Sequence, residues 1–245
     1  MTGASQPWAP RRFWTEVAVD EVAGGWAVRL DARPVRTPGR AEMVMPARGL
    51  AEAVAQEWAA QDSVLRPETM PLTRAVNSAI DRVAPDPAPV VAEIAGYGHS
   101  DLLCHRAPGP EGLVRRQAEG WDPLLDWAAR ELGVRLVPVT GVMPARQPAE
   151  SLVALHGAVA RFDAFGLTAL GEAVALSGSA VLGLALAEGR ASPAELWEIA
   201  QIDEVWQAEQ WGEDAEAAAT AALRQQAFER AAHMLALLRD ARRVD

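Results

Sequence analysis

Residues 167–187 read LTALGEAVALSGSAVLGLALA, and this run limits the possible folds more than any other stretch of the chain. It is apolar on every side, so as a helix it needs neighbours all round. It is long enough to span a bilayer, but it contains Glu172, two serines and several glycines, and no basic cluster flanks it. The expectation is a buried helix over residues 167–188. The small residues of SGSAVLG would then let other helices approach closely rather than cradle a phosphate.

The surrounding sequence supplies such neighbours. Hydrophobic spacing predicts helices over residues 149–165, 192–211 and 214–240. Ser192-Pro193-Ala194-Glu195 is a capping box with proline in its first turn, and Asp122-Pro123 reads as the start of a helix that Gly133 ends. Upstream the period changes from helical to alternating. Val17 and Val19, then Trp26, Val28 and Leu30, alternate with polar residues, and Gly24-Gly25 between the runs marks a hairpin. Leu50, Val54 and Trp58 form one helical stripe, and Leu72, Val76, Ile80 and Val83 form another. The proline-rich APDPAP at residues 84–89 reads as a linker. The expected class is therefore α+β: a small β-rich N-terminal domain with two helices, residues 11–86, and a larger mainly α-helical C-terminal domain, residues 90–240.

Several kinds of chemistry are excluded by what the chain lacks. All 23 basic residues are arginine, which rules out Schiff-base or P-loop lysine chemistry. His99, His105, His156 and His233 are scattered, and no zinc spacing, glycine-rich phosphate loop or nucleophile elbow occurs, so no cofactor is expected. Cys104 is the single cysteine; it sits in the apolar DLLC run and reads as a small buried hydrophobe rather than a nucleophile. A net charge of −10 argues against nucleic acid and against an anionic membrane face.

The sequence IDEVWQAEQWGED, residues 202–214, is the unusual feature that remains. On one helical wheel Ile199, Ile202 and Trp206 share a face, while Trp197, Gln201, Glu204, Ala208 and Trp211 share the opposite one. Both faces could be buried in a bundle, or the second could hold a partner, since tryptophans ringed by polar groups are typical interface anchors. A hydrolase using the clustered carboxylates is the rival reading, and it needs a pocket with two carboxyls roughly 5–10 Å apart. A helical adaptor for another partner is a third.

Seven blocks in order then carry a family likeness: RRFW, LDARPVRTP, LAEAVAQEWAAQ, PETMPLTRAVNSAID, YGHSDLLCHRA, RRQAEGWDPLLDW and IDEVWQAEQWGED, over residues 11–238. The chain resembles the F-type ATP synthase assembly chaperones that hold the alpha subunit, the Atp-twelve family. The resemblance implies a monomeric, non-enzymatic protein with a β-rich N-terminal part. It would bind the unassembled alpha subunit and shield its beta-facing surface until beta displaces it. Because the chain begins a few residues before RRFW, the expected setting is a bacterial cytoplasm. The family motif maps onto Glu204, Trp206, Gln207, Trp211, Gly212, Glu213 and Asp214. Combined with the wheel, the expected partner-facing residues are Glu204, Trp211, Glu213, Trp197, Gln201 and Gln207. Trp58, Trp206, Trp121 and Asp122 are expected to be structural, with Asp122 an N-cap, and Asp101 is expected to pair with Arg106.

Overall fold

The alternation at Val17 and Val19 makes strand β1 (Val17–Val22), which pairs antiparallel with β2 (Gly25–Leu30). Val22 faces Gly25 across the pair, so Ala23-Gly24 is a two-residue turn, and Gly24 closes it at φ +89°, a conformation that favours glycine. The far edge of β2 pairs with two short strands, β3 (Arg33–Pro34) and β4 (Val44–Met45). Any Cβ on Gly25 would run into the Met45 carbonyl, so β4 can approach this closely only against glycine. The structure is a computed structural model that describes residues 11–141, 146–212 and 214–242.

Helix α1 (Arg48–Ala59) buries Leu50, Ala51 and Val54 beside the sheet. Its Glu57 carboxylate accepts the backbone N–H groups of Leu72 and Thr73 at 2.7 and 2.8 Å. Those are orphan donors at the start of α2 (Pro71–Ser78), so a side chain on one helix caps the next. After a π-helical turn at Ala79–Val83, the chain enters α3 (Ala88–Gly96). Next come α4 (Glu111–Glu131), α5 (Ala149–Ala160), α6 (Ala164–Ser177), α7 (Ala180–Glu188), α8 (Pro193–Ala200), α9 (Ile202–Trp211) and α10 (Ala215–Arg242). His105–Arg106 (β5) and Val139–Thr140 (β6) form a small parallel pair. The architecture is α+β, with strands early and helices thereafter. The apolar core runs without interruption from Val28 of the sheet through Leu50 and Val76 to Leu170 of α6 and Leu235 of α10.

The apolar run forms two helices, not one. Ser177 turns its hydroxyl back onto the Ala173 carbonyl at 2.8 Å, Gly178 takes the left-handed conformation at φ +74°, and Ser179 caps α7 through the Leu182 N–H. The sequence SGS is thus turn chemistry inside an apolar stretch. Every residue of α7 except Glu188 is buried. No helix of the described residues is long and apolar enough to cross a membrane.

Two further expectations are corrected. Asp122 is not an N-cap: α4 begins at Glu111, eleven residues earlier in the helix, and Pro123 lies inside it. The Asp122 carboxylate instead takes the Arg106 guanidinium at 2.6 Å, while Arg106 stacks over the Trp121 ring. Arg106 is therefore not the partner of Asp101. Asp101 is fully buried and accepts the N–H groups of Leu103 at 3.1 Å and Val181 at 3.2 Å, tying the segment after α3 to the start of α7.

Candidate protein-binding surface

The segment 192–211 also divides, at Gln201. In a continuous helix the Ile199 carbonyl would accept the Asp203 N–H; here it accepts the Trp121 indole N–H at 2.9 Å. The break invalidates a single wheel across the segment. Trp197, on α8, is 5% exposed and packs on Phe228 of α10 at 5.3 Å between rings. Gln201, at the junction, is 8% exposed. Neither can face a partner, so both leave the expected set. Glu213 lies outside the described residues.

Helix α9 has one supported side. Trp206 sits over Gly112 of α4, where a Cβ would come within 2.7 Å of the ring. Ile202 sits over Gly120, where a Cβ would come within 2.7 Å of its methyl group. Two glycines two turns apart therefore flatten α4 into a seat for two large side chains. Arg116, between them, lies over the Trp206 ring at 4.8 Å and donates to Glu209 at 2.9 Å. That guanidinium holds the Glu209 carboxyl below its ordinary range. Buried Gln117 joins the elements, donating to Asp203 at 2.7 Å and accepting the Ala107 N–H at 2.9 Å.

The opposite side of α9 is bare. Glu204, Gln207, Ala208 and Trp211 are all exposed, and Trp211 is 88% exposed. No residue of α9 is fully buried. Beyond Gly212, Asp214 caps α10, accepting the N–H groups of Glu216 and Ala217 at 2.8 and 3.0 Å. Of the expected structural tryptophans, Trp121 is wholly buried, Trp206 is partly buried on its glycine seat, and Trp58 is partly buried with its ring 5.3 Å from that of Trp14. The support formed by Arg116, Gln117, Gly112 and Gly120 was not legible in sequence. It joins segments some ninety residues apart, as the Arg116–Glu209 bond spans 93 positions.

The carboxylates of this region are not arranged for hydrolysis. Glu209 is engaged by Arg116, Asp203 by Gln117, and Glu204 faces outward. A cleft of about 320 Å³ between α2, α6 and α10 has Glu172 as its one lining carboxylate among the described residues, with Arg74 and Arg230 beside it. Burial pushes the Glu172 carboxyl up despite these two arginines. Burial also pushes the Cys104 thiol up to about 12, so it stays protonated and unreactive. Among the described residues no group of three His, Cys, Asp or Glu could hold a metal ion.

A helix fixed from behind and open in front offers a bare face to another protein. The family described as ATP12 chaperone protein matches residues 11–129. Atp12 from Paracoccus denitrificans is 49% identical, with 93% of this chain and 97% of that one covered and a TM-score of 0.90. A point mutant of the same Atp12p gives 48% identity, the same coverage and a TM-score of 0.90. "Protein atp12, mitochondrial" of Schizosaccharomyces pombe is 23% identical over 214 residues, covering 82% of this chain and 74% of that protein. The chain belongs to the ATP12 chaperone family. It is a chaperone of ATP synthase assembly and not an enzyme.

Proposed function

We propose that this chaperone binds the unassembled alpha subunit of the F-type ATP synthase through the outer face of α9. It shields the alpha surface that later packs against beta, and beta displaces it. The observation that carries this reading is Trp211, 88% exposed at the end of a helix whose other side is clamped to α4. A large bare aromatic beside Glu204 and Gln207 has the composition of an interface anchor with a polar surround. Glu213 belongs to the same family motif and is kept in the proposed contact set. The net charge of −10 suits a client face rich in arginine and speeds its encounter. The protein acts as a monomer in a bacterial cytoplasm, a setting supported by its single, buried cysteine and its likeness to the Paracoccus protein.

The test is light scattering of isolated alpha subunit diluted from denaturant, without ATP. The wild-type chain is expected to lower aggregation. Glu204→Lys and Trp211→Ala are expected to weaken protection about tenfold or more, the scale of losing one interface anchor, with unchanged thermal melts. Normal protection by both variants would remove α9 as the contact. Co-purification from cells of a partner other than alpha would favour the adaptor reading.

A further inference from the structure

A second surface lies in the N-terminal part and shares no residue with α9. Trp14, Leu30, Val35 and Trp58 line a groove of about 450 Å³ formed by the sheet and the end of α1. That volume is within the range of roughly 300–1,000 Å³ typical of ligand pockets. Phe13 stands at its edge, 62% exposed, with its ring 5.2 Å from that of Trp14. An apolar floor bordered by a bare phenylalanine can take an apolar group.

Charge identifies that group. Arg11, Arg33 and Arg36 all line the groove, and among the described residues no carboxylate does. Arg36 is paired with Glu42, but Arg11 and Arg33 have no carboxylate partner among the described residues. Arg33 instead lies 5.9 Å from the Phe13 ring centre. On a chain of net charge −10, this is a local basic rim around an apolar floor. Trp14 is 3% exposed, and the buried indole N–H groups of Trp14 and Trp58 both lack an acceptor among the described residues.

We propose that this groove is a second client contact, taking an extended acidic segment with one large apolar side chain. The apolar group would fill the Trp14–Trp58 floor, and flanking carboxylates would meet Arg11 and Arg33. The client assignment rests on the chaperone reading above; the chemistry of the groove does not.

The experiment uses the full chain and a fluorescein-labelled peptide with a central phenylalanine between pairs of acidic residues, followed by anisotropy. A control peptide carries lysines in place of the acids. The acidic peptide is expected to bind, the lysine peptide at least about tenfold more weakly, and added salt to weaken binding. The exposed double variant Arg11→Glu, Arg33→Glu should lose about tenfold while melting normally, whereas Glu204→Lys should bind the peptide as wild type does. Arg33→Lys should retain most of the affinity. Equal binding of both peptides, or undiminished binding by the double variant, overturns the proposal. If the peptide binds as expected but wild type fails to protect alpha, the groove stands and the client reading falls. If alpha is protected equally by wild type and the double variant, with no peptide binding, the groove falls and the client reading stands.

Discussion

Asp101 has no exposed surface, and each of its oxygens accepts a backbone N–H, from Leu103 and from Val181. Burial pushes its carboxyl above the ordinary value, outweighing the hydrogen bonds from Ser179, Val181 and Leu103 that pull it down. The folded chain therefore binds this proton more tightly than the unfolded chain does. The contribution of Asp101 to stability is complete below the ordinary carboxylate value and declines as pH rises through the raised one. Asp101→Ala strands two buried amides and is expected to cost about 2 kcal/mol, more at about pH 4 than at about pH 8. Thermal melts of both proteins at the two pH values check this; an equal cost at both would mean that the proton is not held there. The tryptophans show what single residues reveal in sequence. Trp197 and Trp211 look alike on a wheel, but one meets Phe228 and the other meets water. The difference is set by α10, a helix the local pattern around Trp197 does not contain.

At the scale of elements, sequence legibility followed local chemistry. The hairpin was readable because alternation and Gly24-Gly25 act within a few residues. The Ser192 capping box was readable for the same reason, and both of its reciprocal bonds form. The break at Gln201 was not, because the Trp121 indole that takes a carbonyl on α8 there comes from a helix 78 residues away. The α6–α7 turn carried its signal in SGS, but the apolar residues on either side hid it. The α9–α4 seat belongs to the same unreadable class. Gly112→Ala would push a methyl group into the Trp206 ring, and overpacking of this kind costs about 1–3 kcal/mol locally. The expected result is a red-shifted tryptophan emission and weaker protection of alpha, with the main melting transition unmoved. A variant that binds alpha normally would show that α9 need not be seated.

For the whole molecule, the proline-rich stretch at residues 84–89 suggested a boundary, yet one core crosses it, with α1 and α2 packed directly against α10 and α6. A single cooperative transition in calorimetry is therefore expected, with calorimetric and van't Hoff enthalpies in agreement. Two resolved transitions would restore two independent domains. Helix α9 stands apart from this shared core. It has ten residues and no fully buried side chain, and so short a helix is marginal on its own. Two side chains on glycines, one exposed ion pair and the Gln117–Asp203 hydrogen bond do most of the fastening. If α9 is the client contact proposed above, the segment can yield as the client leaves while the body keeps its shape.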